Sequence, residues 1–313
     1  MLMFILRRLL AGIVLILVSA SAIFGLMSLS NDTVARSIAG QTASPEQVAQ
    51  KATELGLDQP FLTRYVDWLS GLVHGDLGSS WYNGQPVTTI ISTKLPVTLS
   101  ILVVGLLLAA VLSVLIGVAA AVRGGWLDRA VQGLAILGFA IPAFLIALLL
   151  SVVFAVHWKI FPAVGYTPFA QSPSGWLLSI TLPAIALAIG AMAATAQQVR
   201  GSMVDVLGAD FVRTLRSRGL SERSLLFRHA LRNAIPPGLT VLALQSIGLV
   251  GGAVIVEKVF GLYGIGTAIT SASTQRDQPV VLGITVVMVI IVVVVNLVLD
   301  LAYGLLNPKV RVA

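Results

Sequence analysis

Residues 201–237, GSMVDVLGADFVRTLRSRGLSERSLLFRHALRNAIPP, form the only long charged segment that lies between two strongly apolar runs of the chain. Residues 200–235 hold seven of the chain's 20 Lys and Arg residues and three acidic residues. Within them, residues 209–218 are predicted to form a short amphipathic helix with separate apolar and basic sides. The apolar side chains are Phe211, Val212 and Leu215, and the basic ones are Arg213 and Arg216.

The residues that follow this predicted helix carry turn and capping signals. Gly219 stands where the C-terminus of a helix favours a residue with positive φ. Ser221 and Glu222 then suit the N-cap and the first turn of a second helix, which Pro236 and Pro237 are expected to end. The segment is therefore predicted to be a helix, a glycine turn and a second helix.

The rest of the chain has the composition of a membrane protein. Its mean hydropathy is +0.96, and charged residues make up 11% of it, against roughly 25% in soluble domains. A bilayer core requires about 20 apolar residues per helix, and long apolar runs without strand-type alternation predict helices rather than a barrel. Six transmembrane helices are predicted, near residues 9–30, 96–122, 130–155, 177–199, 236–256 and 280–303. The expected fold class is all-α and polytopic.

The distribution of basic residues predicts the orientation. An even number of spans places both termini on one side of the membrane, and 13 of the 20 Lys and Arg residues fall on that side. The positive-inside rule therefore predicts that both termini and the charged loop are cytoplasmic. The same bias, with anionic lipid, accounts for the net charge of +7, so no nucleic-acid partner is expected.

The first apolar run follows Arg7 and Arg8 and could be mistaken for a signal peptide. Residues 9–31 are longer than the apolar region of such a peptide, and five further spans follow. We therefore expect a retained first helix.

The stretch between the first two spans has helix signals of its own. Ser44 suits an N-cap, Pro45 the first helical position and Gln47 the third, so a helix is expected to run to about Leu55 and stop at Gly56. Residues 58–60 are expected to start another helix, and 74–80 to form a turn. Two interpretations remain open: a cap that lies on the outer leaflet, or a docking surface for a partner.

A search for catalytic chemistry finds little. The three histidines are dispersed, cysteine is absent, and no metal site is expected. Because the chain lacks a P-loop, it is not expected to hydrolyse ATP. Gly261–Gly266 is glycine-rich, but it lacks the preceding strand and downstream acid of a dinucleotide site, so a re-entrant turn is favoured. Asp300, near Asn296 and Tyr303, is interpreted as a structural hydrogen-bonding group rather than a proton relay.

Two stretches of the charged loop carry a family resemblance. Residues 210–220, DFVRTLRSRGL, and 227–236, FRHALRNAIP, resemble the cytoplasmic loop of binding-protein-dependent ABC importer permeases, in the dipeptide, oligopeptide and nickel branch. Other stretches that resemble the family are 6–10, 44–47, 55–60, 75–79, 257–260, 276–279, Asn296, Asp300, Tyr303 and Asn307–Pro308. Three positions depart from its pattern: residues 30–33, Leu215 and residues 262–264.

The resemblance implies a type I ABC importer permease fold, with residues 1–95 as the first helix and external segment. Residues 96–313 would be a permease core of five helices that carries a coupling loop at 200–236. The implied partners are a homologous permease subunit, two P-loop ATPase domains that bind ATP and Mg²⁺, an external solute-binding protein and membrane lipid. The chain itself would be a non-catalytic, multi-pass subunit in the bacterial plasma membrane, without a cofactor.

The resemblance also implies roles for individual residues. Gly219 would permit the turn, the side chains of Phe211, Leu215 and Leu220 would fill a groove of the ATPase, and the polar residues would brace the loop or pair with the partner. The polar residues concerned are Arg213, Thr214, Arg216, Arg228, His229 and Asn233. Residues expected to have a structural or gating role are Glu257, Arg276, Asp277, Asn296 and Asp300.

The expected solute is a di- or oligopeptide, and no substrate-binding residue is assigned. Nickel or another small solute of the same branch is the alternative, and an ion-coupled secondary carrier is a more distant one.

Overall fold

The computed structural model describes residues 2–29, 31–40 and 42–306, so the predicted motif at Asn307–Pro308 lies outside the described residues. Within these ranges the secondary structure is helical, and the only β-type pairing is an isolated bridge between Ser79 and Pro86. The α-helices are α1 Leu2–Ser28, α2 Asn31–Ala39, α3 Pro45–Glu54, α4 Phe61–Val73, α5 Val87–Arg123, α6 Gly125–Ala140, α7 Ala143–Leu150, α8 Pro173–Gly208, α9 Asp210–Ser217, α10 Glu222–Ser224, α11 Leu231–Val259, α12 Ile265–Gln275 and α13 Gln278–Leu306. Two π-helical segments, Ser151–His157 and Leu225–Ala230, adjoin α7 and α11.

Among the described residues, five stretches are long and apolar enough to cross a membrane, and a broken pair of helices supplies a sixth. The five are Leu6–Ser28, Val87–Arg123, Pro173–Gly208, Glu222–Val259 and Gln278–Leu306. The broken pair is Gly125–Gly138 with Ala143–His157. The prediction of an all-α polytopic protein is confirmed, and the number of spans is six when the broken pair counts as one.

The third span is not the continuous helix that was predicted for residues 130–155. α6 ends at Ala140 and α7 starts at Ala143, with a bend of more than 40° between the halves. The residue before a proline avoids the α region, and Ile141, which precedes Pro142, is extended at φ −86° and ψ 122°. The proline therefore starts a new helix instead of continuing the old one.

The prediction that Pro236 and Pro237 end a helix is wrong. Both prolines lie inside α11, so the second helix of the charged loop continues into the fifth span. A proline inside a helix removes one hydrogen bond, which membrane helices tolerate when their neighbours compensate. Here the next residue, Gly238, packs closely on α8, since a Cβ at Gly238 would lie 2.5 Å from Val199 Cγ2.

Other helices are longer than the apolar runs indicated. α5 begins at Val87, and α8 continues past the predicted end at 199 to Gly208, which lies inside the charged segment with one residue between it and α9. The glycine-rich turn at 261–266 is shorter than predicted because α12 begins at Ile265. The length of an apolar run gives the part of a helix that lipid can cover. Backbone hydrogen bonding can continue the helix beyond the bilayer, so the run underestimates the helix length.

The chain divides into two compact units. The first contains Val97–Leu262 and the end of the last helix, and within it α8 packs against α6, α7 and α11. The second contains Met3–Pro96 and Tyr263–Val293. Its core is a cluster of buried apolar side chains, namely Val87, Ile90, Ile91, Ile265, Ala272, Val280, Val281 and Ile284. The division at residue 95 suggested by the resemblance stays a prediction.

Candidate functional site

The first helix of the charged loop, α9, is anchored by one apolar side chain. Val212 is fully buried, while Phe211 on the same helix is 42% exposed. Leu215 and Leu220 are partly buried. The loop thus keeps one apolar residue for its own support and leaves another free at the surface.

The turn after α9 has the hydrogen bonds of a Schellman motif. Gly219 has φ +81°, as predicted, and its N–H donates to the carbonyl of Arg216 at 3.0 Å. The N–H of Leu220 donates to the carbonyl of Leu215 at 3.3 Å. No atom lies within 4 Å of a Cβ built at Gly219, so the requirement for glycine here is conformational rather than steric.

The second helix begins at the predicted cap. Ser221 Oγ accepts a hydrogen bond from the N–H of Ser224 at 3.4 Å. After α10 the chain widens into the π-helical segment, in which Leu225 and Ala230 are buried. The segment packs against α9 and α8 before it passes into α11. The loop therefore joins the ends of two spans without a flexible linker.

One ion pair connects the two halves of the loop. Arg216 Nε and Nη2 donate to Glu222 Oε1 and Oε2 at 2.5 Å and 3.0 Å. Hydrogen bonding to this carboxylate raises the pKa of Arg216. The second pair, Arg213 with Asp210 at 3.4 Å, lies within α9 and is exposed, and such pairs contribute little to stability.

The polar residues Thr214 and Asn233 make local hydrogen bonds, whereas Arg232 of the same loop donates from Nε to the carbonyl of Leu306 at 3.4 Å. Thr214 Oγ1 donates to the carbonyl of Asp210 at 3.0 Å, and Asn233 Nδ2 donates to that of His229 at 2.8 Å. Arg228 is exposed. Among the residues predicted to brace the loop, Arg216 alone makes a side-chain contact between its two helices in the described structure.

The sequence reasoning missed Phe227, whose side chain is 58% exposed. A large apolar side chain beside Arg228 in a basic segment was the available signal. Together with Phe211 it gives the loop two exposed aromatic side chains, which are frequent anchors at protein interfaces.

A second feature that the sequence did not predict supports the loop from α8. Arg200 Nε and Nη2 donate to Asp128 Oδ1 and Oδ2 at 2.7 Å and 2.5 Å. Gln132 Nε2 donates to the same carboxylate at 3.0 Å. The pair joins α6 to α8 eight residues before α8 ends at Gly208, and both partners are largely buried. Sequence spacing carries no signal for a contact between residues 72 positions apart.

Three helices cross closely next to this pair. A Cβ at Gly117 of α5 would lie 2.8 Å from the carbonyl oxygen of Ala196, and Val199 contacts both this glycine and Gly238 of α11. Substitutions at either glycine would push the helices apart. The end of α8 is therefore held by close packing as well as by the Asp128–Arg200 pair.

The five residues expected to be structural or gating are divided between the two compact units, and two of them are buried. Glu257 is fully buried and accepts a hydrogen bond from Thr98 Oγ1 at 2.5 Å in the first unit. Asp277 is 3% exposed and accepts from Ser80 Oγ at 2.5 Å and from the N–H of Trp81 at 3.2 Å in the second unit.

The other three residues lie at the end of α12 and on α13. Arg276 ends α12 in the left-handed conformation, at φ 60° and ψ 33°, and is exposed. Asn296 and Asp300 are half-buried on α13. Their expected roles remain predictions.

These features define a multi-pass helical membrane protein in which two spans are joined by a basic, two-helix loop. Residues 113–312 match the family described as binding-protein-dependent transport system inner membrane component. Residues 1–102 match the family that describes the N-terminal part of such membrane components. The chain therefore belongs to the permease components of binding-protein-dependent ABC transport systems, as the resemblance implied.

Similar proteins align over nearly the whole chain. A Brucella abortus protein named as a peptide transport system permease protein is 40% identical over 308 residues, 98% of each chain. A Sinorhizobium fredii protein named as a peptide ABC transporter permease protein is 37% identical over 309 residues, 98% of this chain and 99% of that one. The glutathione transport system permease protein of Salmonella choleraesuis is 34% identical over 312 residues, 99% of each chain.

Proposed function

We propose that this chain is a permease subunit of an ABC importer for di- and oligopeptides and forms the path together with a homologous permease. The observation that carries the proposal is the two-helix loop, which follows α8 after the extended residue Ala209 and continues through the π-helical segment into α11. Two of the similar proteins are named for peptides and one for glutathione, which is itself a tripeptide. A peptide cargo accounts for all three names.

Movement of the loop would drive transport. Phe211 and Phe227 would enter a groove on a partner ATPase, with Leu215 and Leu220 beneath them, since amphipathic helices commonly dock in this way. Gly219 sets the angle between the two helices, and the Arg216–Glu222 pair preserves it. Because the π-helical segment continues into α11, a displacement of the loop reaches the membrane without an intervening hinge.

The other polar residues of the coupling loop have a supporting role in this proposal. Arg213, Arg228 and His229 would pair with the ATPase, while Thr214 and Asn233 tie their helices locally. ATP and Mg²⁺ would bind to the partner ATPases, and this chain would catalyse no reaction and hold no cofactor.

The proposed orientation places both termini and the coupling loop in the cytoplasm. Residues 200–235 carry seven basic and three acidic residues, which the positive-inside rule assigns to the cytoplasmic side. The segment between α1 and α5 would then face the solute-binding protein.

The test is purification of the tagged chain from its native membrane, with mass spectrometry of the proteins and ligands that accompany it. We expect a second permease, a P-loop ATPase and a solute-binding protein that carries a peptide. In liposomes the complex should then take up that peptide only when ATP is present.

Two outcomes would contradict the proposal. A binding protein loaded with nickel or another small solute would exclude the peptide cargo and keep the importer. Solute transport by the isolated chain without ATP would exclude the importer and favour an ion-coupled carrier.

A further inference from the structure

A guanidinium group in the second unit has no anionic partner among the described residues. Arg64 lies on α4, is half-buried, and donates one hydrogen bond, from Nη2 to Gln278 Oε1 at 2.9 Å. Its Cζ lies 5.8 Å from the centre of the Phe24 ring. Arginine has five N–H donors, and no carboxylate of the described residues lies within ion-pair distance of it. Burial without such a partner lowers the pKa of Arg64.

Arg64 borders an open cavity of about 210 Å³. Trp68 and Trp81 form part of the wall, and the carboxylate-bearing Asp67 lines the same cavity. The Nε1–H group of Trp68 is buried and has no acceptor among the described residues. The cavity therefore combines unused donors of one cation, aromatic surfaces and one acidic side chain.

An apolar side chain next to the cavity is uncovered. The ring of Phe61 lies 5.4 Å from that of Phe24, which lines the cavity, and Phe61 is 47% exposed. Phe24 stands in the last two turns of α1, and α1 contains a candidate membrane span that ends at Ser28. This position is where a span gives way to the headgroup region, and Trp side chains are enriched there.

We propose that this cavity binds the headgroup of a phospholipid that carries both a phosphate and a primary ammonium group, of the phosphatidylethanolamine class. The phosphate oxygens accept hydrogen bonds from the Arg64 guanidinium, whose planar fork suits an oxyanion. The ammonium group approaches the Asp67 carboxylate, and an acyl chain covers the exposed part of Phe61.

The choice of a zwitterionic lipid follows from the two charges on the cavity wall. A free phosphate would leave Phe61 uncovered and would be repelled by Asp67. A purely anionic lipid would cover Phe61 but would meet the same repulsion. A lipid with an ammonium group satisfies both side chains at once, and its binding would hold α1, α4 and the start of α13 together, because these three supply Phe24, Arg64 and Gln278.

Native mass spectrometry of the delipidated, purified complex tests the proposal. Phosphatidylethanolamine, phosphatidylglycerol and inorganic phosphate are titrated separately, and we expect the first to bind most tightly. Arg64→Gln should weaken its binding about tenfold or more, because a charge-assisted hydrogen bond is lost. Arg64→Lys should weaken it less, since the charge stays and the fork is lost. The matched control is Arg36→Gln, which removes an exposed arginine of the same unit and should leave binding unchanged.

A second variant keeps the test independent of folding defects. Asp67→Asn removes an exposed charge and should weaken phosphatidylethanolamine binding while phosphatidylglycerol binding stays equal or rises. Three outcomes would overturn the proposal: equal lipid binding by Arg64→Gln and the unaltered chain, competition by inorganic phosphate alone, or loss of a protein partner in Arg64→Gln with lipid binding intact. Equal lipid binding would show that Arg64 does not bind the lipid. Competition by phosphate would identify a free-anion site, and loss of a protein partner would assign Arg64 to a protein contact.

Discussion

The charged loop of residues 201–237 and the Asp277 contact use polar side chains in opposite ways. The Asp277 contact comprises Asp277, Ser80 and Trp81. In the loop, Arg216 and Glu222 are more than half exposed, so their pairing fixes a shape and adds little stability. In the Asp277 contact, Asp277 is 3% exposed, and its carboxylate accepts a hydrogen bond from the buried hydroxyl of Ser80. A buried polar group costs most when it loses its partner. We therefore expect substitutions in the loop to impair transport, and substitutions at Asp277 to impair folding.

The largest effect on stability is expected at Asp277. Asp277→Ala would leave the Ser80 hydroxyl and the Trp81 N–H without an acceptor, at a cost of roughly 3 kcal/mol. The midpoint of thermal unfolding of the purified protein should fall clearly. The control is Asp58→Ala, which removes an exposed carboxylate of the same unit and should shift the midpoint much less. Equal shifts for the two variants would contradict the contrast between buried and exposed polar groups.

The largest effect on transport without loss of stability is expected at Gly219. Gly219→Val places a β-branched residue at φ +81°, which costs roughly 1–2 kcal/mol at that turn. Because the turn is exposed, it can distort while the spans stay folded. ATP-driven uptake in liposomes should fall about tenfold, with little change in the unfolding midpoint.

The control for this variant is Gly208→Ala. Gly208 is helical, and its added Cβ would have no neighbour within 4 Å. The substitution should leave uptake unchanged and stabilise α8 slightly. Full uptake by Gly219→Val would show that the turn tolerates another geometry and would remove the role assigned to this glycine.

Local signals in the sequence were sufficient for the turn between the two helices of the loop. Gly219 and Ser221 determine their turns through their own backbone and side chain, so α9 and the start of α10 could be predicted from neighbours in the chain. Exposed Phe227 was present in the same stretch, but exposure depends on what packs beneath a helix. Which aromatic side chains face outward could therefore not be predicted.

Proline shows where such local reasoning fails. The chain breaks at Pro142 and continues through Pro236, although each residue removes the same hydrogen bond donor. Pro142 is exposed, whereas Pro236 is buried and lies two residues before the close contact of Gly238 with Val199. Packing against α8 decides the second case, and it involves residues distant in sequence. The Asp128–Arg200 pair could not be predicted for the same reason.

Substitution of the Asp128–Arg200 pair tests whether the end of α8 acts in transport, as the charged loop does, or in stability, as the buried Asp277 contact does. Asp128→Asn removes the charge that Arg200 faces but keeps a similar shape. We expect uptake per ATP hydrolysed to fall about 2–5-fold, since α8 leads directly into the loop. The double variant Asp128→Arg with Arg200→Asp should restore part of the uptake per ATP hydrolysed. A fall in thermal stability with unchanged uptake per ATP would place the pair with the structural contacts instead.

A smaller effect is expected at the start of α3. The hydroxyl of Ser44 accepts the N–H of Gln47 at 3.4 Å, and the Ser44 N–H donates to Gln47 Oε1 at 2.9 Å. Ser44→Ala should destabilise α3 by about 1 kcal/mol and increase amide exchange there. Ser44→Thr preserves the cap and serves as the control. Unchanged exchange in Ser44→Ala would mean that packing of α2 on α3 holds the helix without its cap.

The smallest effect is a pH dependence at the same cap. The Ser44 hydroxyl donates to Glu46 Oε2 at 2.7 Å, and this hydrogen bond lowers the pKa of Glu46 from its ordinary value of 4.5. A depressed pKa in the folded state contributes stability above the ordinary value, and that contribution is lost as the pH falls through the lower, folded-state pKa. Amide exchange of α3, corrected for its intrinsic pH dependence, should therefore increase below pH 4.5 in the unaltered chain. In Ser44→Ala the increase should be smaller, because the hydroxyl that favours the charged carboxylate is gone. An identical increase in both chains would assign the pH dependence to other carboxylates and would leave Ser44 as a backbone cap alone.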